Sequence, residues 1–467
     1  MSDTVVALSS GLVPSGVAVI RISGPTAANA VMALAGALPP ARQATLRRLR
    51  DPRCGSALDD ALVLFFPGPA SFTGEDVAEL HCHGGVAVVE GVIDALLSVD
   101  DVRMATAGEF TQQAFANGKL DLAQVEAVGD LIDASSREQV SQALDQLSGA
   151  ARDKLNAWRA ILAEIRATIE ADLDFSDEDD VPGSVLDSVP QRLRDLNLEI
   201  RAEIEDKTAE RLRSGFRVVL AGGANAGKST LLNALLERDA AIVTPVPGTT
   251  RDRIDAVLDL DGLPIILTDT AGFRTAVDIA DEIERIGIGR TQEALREADC
   301  IVWLLGGEGS GNHDRNAGSI GRDGDDGSAA IATDVGMIRV RSKVDLDHPL
   351  TTQNAPDDAV LRVSGKTGAG LAALKRKIGA VLRTRHELIR TRNSLAVIAL
   401  DARRRTSLMA ASEAIEDATT RSSERHAMIE MVAEDLRRAQ RSLGEIVGDV
   451  DPEGVLDVVF SRFCIGK

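Results

Sequence analysis

The run Gly222 to Thr230, GGANAGKST, fits the phosphate-binding pattern G-x-x-x-x-G-K-[S/T]. The apolar run Val218 to Ala221 precedes it and LLNALL, Leu231 to Leu236, follows, so the pattern lies between a predicted strand and a predicted helix. Glycines let the backbone curl until its N–H groups face phosphate oxygens, and the helix N-terminus adds its dipole. Lys228 is placed to reach the β- and γ-phosphates and the Ser229 hydroxyl to ligate Mg2+. Asn225, Ala226, Gly227 and Thr230 complete the loop around a nucleoside triphosphate.

More of the same machinery follows in order. In PGTTRD, Thr250 is the candidate second protein ligand of Mg2+ and a sensor of the γ-phosphate. The segment leading to it, Thr244, Pro245, Val246, Pro247, Gly248 and Thr249, is expected to line the nucleotide. In ILTDTAG, Asp269 would act through a Mg2+-bound water and the Gly272 N–H would meet the γ-phosphate, with Thr270 and Ala271 between them. Spaced this way after a phosphate loop, the element marks a switch GTPase. The base pocket departs from the usual N-K-x-D: IRVRSKVDL puts Ser342 at the Asn position, with Lys343 and Asp345 in place. A carboxylate accepting from guanine N1 and N2 discriminates strongly against adenine. Losing the Asn is expected to remove a loop-bracing and base-edge contact and to lower affinity. RVSGKTG supplies Ser364, Gly365 and Lys366 as the second base loop. The residue after DTAG is Phe273, which cannot orient water by hydrogen bonding as a Gln there does. The acidic stretch Asp281 to Gly287 holds candidates for that task.

These motifs need elements to hold them. Residues 1–117 read as α/β, with strands in GVAVIRIS and ALVLFFPG and a helix over Val86 to Leu97. From about Leu120 the apolar spacing becomes helical, through Leu122, Val125, Leu155, Trp158, Ile165 and Ile169. It reaches an acidic run, Asp172 to Asp180, that reads as a solvated loop. A further helix is predicted over Val189 to Leu212. The α/β nucleotide module occupies 214–385, and helical sequence resumes over 386–467. The predicted organisation is thus an α/β N-terminal domain, then an all-α domain in two parts (118–213 and 386–467) into which a P-loop α/β G domain is inserted. Residues 306–327, rich in Gly and Asp, read as a mobile loop.

Composition bounds the partners. The 467 residues carry a net charge of −20, so the surface as a whole repels nucleic acid and any RNA must meet a local basic patch or a second protein. No run approaches a membrane span, and the start MSDTVVALSSG lacks the pattern of a signal peptide. Cys54, Cys82, Cys300 and Cys464 form no CxxC pair. A reducing, cytoplasmic setting is expected, with no membrane partner. His81, Cys82 and His83 look like metal ligands, but neighbours on a strand alternate faces, and packing is the better reading. CIGK does not fit a prenylation signal.

N-A-G-K-S, G-T-T-R-D, D-T-A-G, E-R-I-G-I and the C-terminal C-I-G-K together resemble the MnmE (TrmE) family of tRNA-modification GTPases. VAVIRISG, SFTGEDVAELHCHGG, AGEFTQQAFANGKLDL and EAVGDLIDA are similar to that family as well, so the resemblance covers nearly the whole chain. It implies a GTPase activated by K+ and by dimerisation of its G domains, with Asn225, Thr244, Val246 and Thr249 holding K+. It implies that Glu284, in E-R-I-G, orients the water that Phe273 cannot. For the N-terminal domain it implies constitutive dimerisation and binding of a tetrahydrofolate (a 5,10-methylene or 5-formyl form) through Arg21, Glu79, Lys119 and Lys467, with Cys464 near that site as a possible functional thiol. Judged by its strand position alone, Glu79 would face solvent. The resemblance also implies a flavoprotein partner, MnmG (GidA), in a heterotetramer. FAD and NADH belong to that partner, and the product is a carboxymethylaminomethyl or aminomethyl group at C5 of the wobble uridine of certain tRNAs. Two other readings stand against it: a bare regulatory switch such as a ribosome-assembly GTPase, and a folate enzyme whose G domain has decayed.

Overall fold

In a computed structural model, the structure describes residues 3–174, 188–206, 208–223, 226–238, 255–269, 294–295, 297–305, 336–346, 360–392, 398, 401–423, 429–449, 456, 459–460, 463 and 465–466. The chain divides into two units: Met1–Ile132, Gln146–Asn197 and Ala410–Lys467 form one, and Asp133–Asp145 with Leu198–Met409 the other.

The first unit opens with β1 (Thr4–Leu8), β2 (Ser15–Ser23), α1 (Ala27–Ala35), β3 (Thr45–Arg50), β4 (Ala57–Phe66), β5 (Val77–Gly84), α2 (Val86–Leu97) and β6 (Val102–Met104). The strands form one sheet in the order β3-β4-β5-β2-β1-β6, antiparallel except for the β1–β6 pair. Alternation decides its faces: Ala18, Ile20 and Ile22 of β2 and Ala78, Leu80 and Cys82 of β5 are buried in one core with Val31, Leu34, Val92 and Leu96 of α1 and α2. The intervening residues, Arg21, Glu79 and His81 among them, therefore fall on the other face.

Helices α3 (Glu109–Ala116), α4 (Leu122–Asp133), α5 (Arg137–Leu147) and α6 (Ala150–Asp174) follow. The acidic run was expected to be a loop, yet α6 continues through Asp174 because Ile169 and Leu173 maintain the helical spacing into it. The rest of the run, and the loop expected over 306–327, lie outside the described residues. The single helix expected over Val189 to Leu212 is two, α7 (Val189–Glu205) and α8 (Thr208–Ser214). The Thr208 N–H donates to Asp206 Oδ1 at 2.8 Å, so the aspartate starts a new helix instead of continuing the old one.

The second unit holds β7 (Phe216–Gly222), α9 (Lys228–Arg238), β8 (Asp255–Leu260), β9 (Leu263–Asp269), β10 (Cys300–Leu305), β11 (Gly336–Arg341), β12 (Val360–Arg362) and α10 (Leu371–Arg392). The sheet order is β12-β11-β10-β7-β9-β8, parallel but for the edge strand β8. Ligand loops of such sheets gather outside the carboxyl ends of the strands. The ends of β7, β9 and β11 carry the phosphate loop, Asp269 and Ser342. Val218, Leu220, Ile265, Leu267, Val302 and Val340 join Leu374, Ile378 and Leu382 in its core.

Two further helices, α11 (Ala402–Ser422) and α12 (Ile429–Val447), close the described elements. Val432, Leu436, Ala439, Leu443 and Ile446 form the buried stripe of α12, which packs on α6, where Leu155, Trp158, Leu162, Ile165 and Ile169 repeat the same spacing. The chain end returns to the first sheet: Ile465 bridges Ala107, and Ser9 Oγ donates to the Gly466 carbonyl at 2.7 Å. Only glycine fits at 466, where φ is +98° and a Cβ would lie 2.1 Å from the Leu8 carbonyl oxygen. Among the described residues no helix is long and apolar enough to cross a membrane.

Candidate functional site

At the end of β7 the phosphate loop turns into α9. Lys228 is buried at its first turn, and its Nζ donates to the carbonyls of Gly222 and Gly223 at 2.8 and 2.7 Å. The ammonium is thereby held over the mouth of the loop, where a phosphate oxygen would compete with those carbonyls for it. Ser229 follows on the exposed side, and its hydroxyl donates to Asp269 Oδ2 at 2.8 Å. The parallel pairing of β7 with β9 sets Leu220 opposite Asp269, which is why residues 40 apart in sequence meet. A hydroxyl and a carboxylate side by side are hard oxygen donors of the type Mg2+ takes.

The base-pocket loops close on the same end of the sheet. The Ser342 hydroxyl, buried after β11, donates to the Ala226 carbonyl at 2.6 Å and lies 3.3 Å from the Leu305 carbonyl. The expected loss of the loop brace with the Asn is thus corrected: the serine makes that brace itself. One hydroxyl has one proton, and the shorter bond takes it. Lys343 sits at φ +59°, and its side-chain carbons lie within van der Waals reach of the Cβ position of Gly227. Asp345 is exposed and accepts from the fully buried Ser364 hydroxyl at 2.6 Å. That bond, aided by Lys366 and Lys343, holds the Asp345 carboxyl below its ordinary range despite some desolvation. Ser364 Oγ in turn accepts the Thr367 N–H at 3.1 Å, which fixes its direction. Ala226, Gly227, Lys228, Ser229, Thr230, Asp269, Ser342, Lys343, Asp345, Ser364, Gly365 and Lys366 are therefore at one end of the sheet, on its loops, the start of α9 and the end of β9. Asn225, Thr244 to Thr250, Thr270 to Gly272, Phe273 and Glu284 lie outside the described residues.

A second polar group stands on the first sheet, on the face opposite α1 and α2. β2 and β5 pair Arg21 with Glu79, and the guanidinium donates to Glu79 Oε1 through Nε at 3.1 Å and Nη2 at 2.9 Å. His81 Nε2 lies 3.3 Å from the other carboxylate oxygen, and Arg21 packs 5.7 Å from the centre of the Phe110 ring. Register thus overturns the solvent-facing reading of Glu79: its side chain is 20% exposed between Arg21 and His81. Lys119 is exposed beyond α3 and makes no ion pair with them. Lys467 and Cys464 lie outside the described residues, next to the seated Ile465 and Gly466.

The histidines and cysteine of β5 do not gather. His83 Nδ1 meets Asp59 Oδ1 at 2.7 Å, while burial, with Asp59 adding to it, pushes the Cys82 thiol up to about 12. Among the described residues no three metal-type side chains cluster.

Residues 4–119 match the family described as GTP-binding protein TrmE N-terminus, and residues 122–464 match the MnmE helical domain. Curated relatives called tRNA modification GTPase MnmE include those of Methylorubrum populi, 45% identical over 100% of this chain and 98% of the relative, and Rhizobium meliloti, 44% identical over 100% and 99%. Among solved structures, the G domain of the T. maritima FeoB iron transporter aligns with 36% of this chain and 98% of its own at 23% identity, but its TM-score of 0.23 carries no argument. Family and relatives span the chain from end to end: it belongs to the MnmE family of tRNA modification GTPases.

Proposed function

We propose that this GTPase is stimulated by K+ and acts as a homodimer with a flavoprotein of the MnmG (GidA) type. The pair, in a heterotetramer, would add a carboxymethylaminomethyl or aminomethyl group at C5 of the wobble uridine in certain tRNAs, drawing the carbon from a tetrahydrofolate. The supporting observation is that the two polar sites are built in separate sheets, one for a nucleotide and one for a different ligand. A bare switch has no use for the Arg21–Glu79–His81 group. A decayed G domain would not retain a buried Lys228, the Ser229–Asp269 bond and a braced phosphate loop.

In the nucleotide site Lys228 and the loop N–H groups would bind phosphate, Ser229 and Thr250 would hold Mg2+ with Asp269 acting through one of its waters, and Asp345 would select guanine. Mg2+ supplies charge against the β- and γ-phosphates. K+ would be held by Asn225, Thr244, Val246 and Thr249 and would supply the charge of an arginine finger. Glu284 orients the attacking water in place of Phe273. In the folate site the Glu79 carboxylate accepts paired N–H groups of a pterin, Arg21 and His81 hold it in place, and Lys119 and Lys467 suit an anionic tail. Cys464 is a candidate functional thiol for that reaction. FAD and NADH belong to the partner, and the setting is cytoplasmic.

GTP turnover in KCl against NaCl tests the K+ reading: equal rates would remove it. Glu284→Ala should abolish most turnover while nucleotide binding stays near normal. Nucleoside analysis of tRNA from a deletion strain tests the reaction, and unchanged wobble uridines would contradict it.

A further inference from the structure

Helix α10 is strongly basic. Its sequence, LAALKRKIGAVLRTRHELIRTR, holds seven Lys or Arg and one Glu, in a protein whose net charge is −20. Leu371, Leu374, Ile378 and Leu382 are buried in the core beneath β10 and β11. The opposite stripe, with Arg376, Lys377, Ala380 and Arg383, is exposed.

Two ordinary reasons for surface cations fail at Arg376 and Lys377. Cations favour the last turn of a helix, where the dipole is negative, but these two stand near the start of a 22-residue helix. Helical ion pairs need an acid three or four residues away. The residues at those offsets are Ala372, Ala373, Leu374, Gly379, Ala380 and Val381. Elsewhere the chain uses such pairs freely, as in Arg166–Glu170 and Arg437–Glu434. Among the described residues no salt bridge involves Arg376 or Lys377. Arg383 is committed differently, donating to the Asp261 carbonyl in the β8–β9 turn. Two cations exposed side by side on one helix, with no ion pair among the described residues and on a chain of net charge −20, form a local footprint for a polyanion.

We infer that the exposed stripe of α10 around Arg376 and Lys377 is a docking surface for the phosphate backbone of tRNA. The inference rests on the tRNA-modification activity of the family. It needs no base reading: Lys and Arg contacts to phosphate position a nucleic acid without selecting its sequence. α10 begins five residues after Lys366 of the second base loop, so RNA held here lies on the same domain as the nucleotide.

The test is binding of fluorescently labelled bulk tRNA to the full-length protein, alone and with its purified flavoprotein partner, over a series of KCl concentrations. Each phosphate contact removed lowers the slope of log affinity against log salt by about one. Arg376→Gln/Lys377→Gln should therefore lower the slope by about two and weaken binding roughly tenfold at low salt. Its GTP turnover without tRNA should equal that of the parent, which also shows that the variant is folded. An unchanged slope and affinity would overturn the inference, as would absence of tRNA binding by the parent in both settings. Loss of affinity for the flavoprotein with tRNA binding intact would also overturn it, assigning the stripe to an acidic protein surface. Wobble-uridine analysis reads the modification activity separately, so failure of that reading and failure of this surface are distinct results.

Discussion

The Ser342 hydroxyl donates to the Ala226 carbonyl at 2.6 Å, across 116 residues of sequence, and so joins the guanine end of the site to the phosphate loop. An Asn amide has two N–H donors; this serine has one, and the loop takes it. Ser342 is therefore a phosphate-loop brace. Ser342→Ala should weaken GTP and GDP together, by about 1–2 kcal/mol, which is roughly 5- to 30-fold in Kd. The preference for guanine over adenine should not change. Calorimetric titration with GTP, GDP and ATP checks this, and a selective loss of guanine preference would show that the hydroxyl reads the base.

In the proposed function Asp345 carries that preference, and the Ser364 bond holds its carboxyl low. The Ser364 bond is the largest cause of the lowered Asp345 carboxyl, ahead of the nearby lysines. A carboxyl depressed in the folded protein contributes above its unfolded value, and the contribution fades as pH falls through the folded value. Guanine selectivity should thus persist into the acid range below that of an ordinary aspartate. Ser364→Ala should move its loss to higher pH without altering selectivity at neutrality. Asp345→Asn should shift preference from GTP to xanthosine triphosphate at every pH. Competition binding across a pH series reads all three.

The described part of the nucleotide site was legible because its groups sit in short runs with fixed spacing at the ends of β7, β9, β11 and β12. Contacts between runs were not legible. Nothing local distinguishes a serine that braces a loop through Ala226 from one that has merely lost an amide. Glu79 looked solvent-facing for a related reason: alternation assigns a face but not an occupant, and only the antiparallel register of β2 with β5 puts Arg21 beside it. The break between α7 and α8 was missed because apolar spacing continues across it, while the competing bond from Asp206 to Thr208 is local and polar.

The Arg21–Glu79 pair gives a matching prediction for the other site. Glu79→Gln keeps the shape but leaves Arg21 with a neutral acceptor and removes a bidentate anion. Affinity for a tetrahydrofolate should fall by about 2 kcal/mol, or roughly 30-fold, by the usual strength of a charge-assisted hydrogen bond. Basal GTP turnover should stay level, because this pair stands in a different sheet. Equilibrium binding of 5-formyltetrahydrofolate followed by fluorescence measures the first effect. A parallel loss of GTP turnover would show that the two sites are not separable.

Gly466 tests whether the chain end serves the N-terminal domain. Its φ of +98° disfavours any side chain, and an added Cβ would stand 2.1 Å from the Leu8 carbonyl oxygen. Alanine there adds about 1 kcal/mol of backbone strain and a clash that β1, buried from Thr4 to Ala7, cannot easily relieve. The least costly escape is for the tail to leave its seat, breaking the Ser9 hydroxyl bond to the Gly466 carbonyl and the bridge from Ala107 to Ile465. Gly466→Ala should therefore expose the tail to carboxypeptidase and lower folate affinity, while basal GTP turnover and the melting of the rest of the chain hold. Unchanged protection and unchanged folate affinity would mean that the tail accommodates the methyl group in place, and that its seat does not position Lys467.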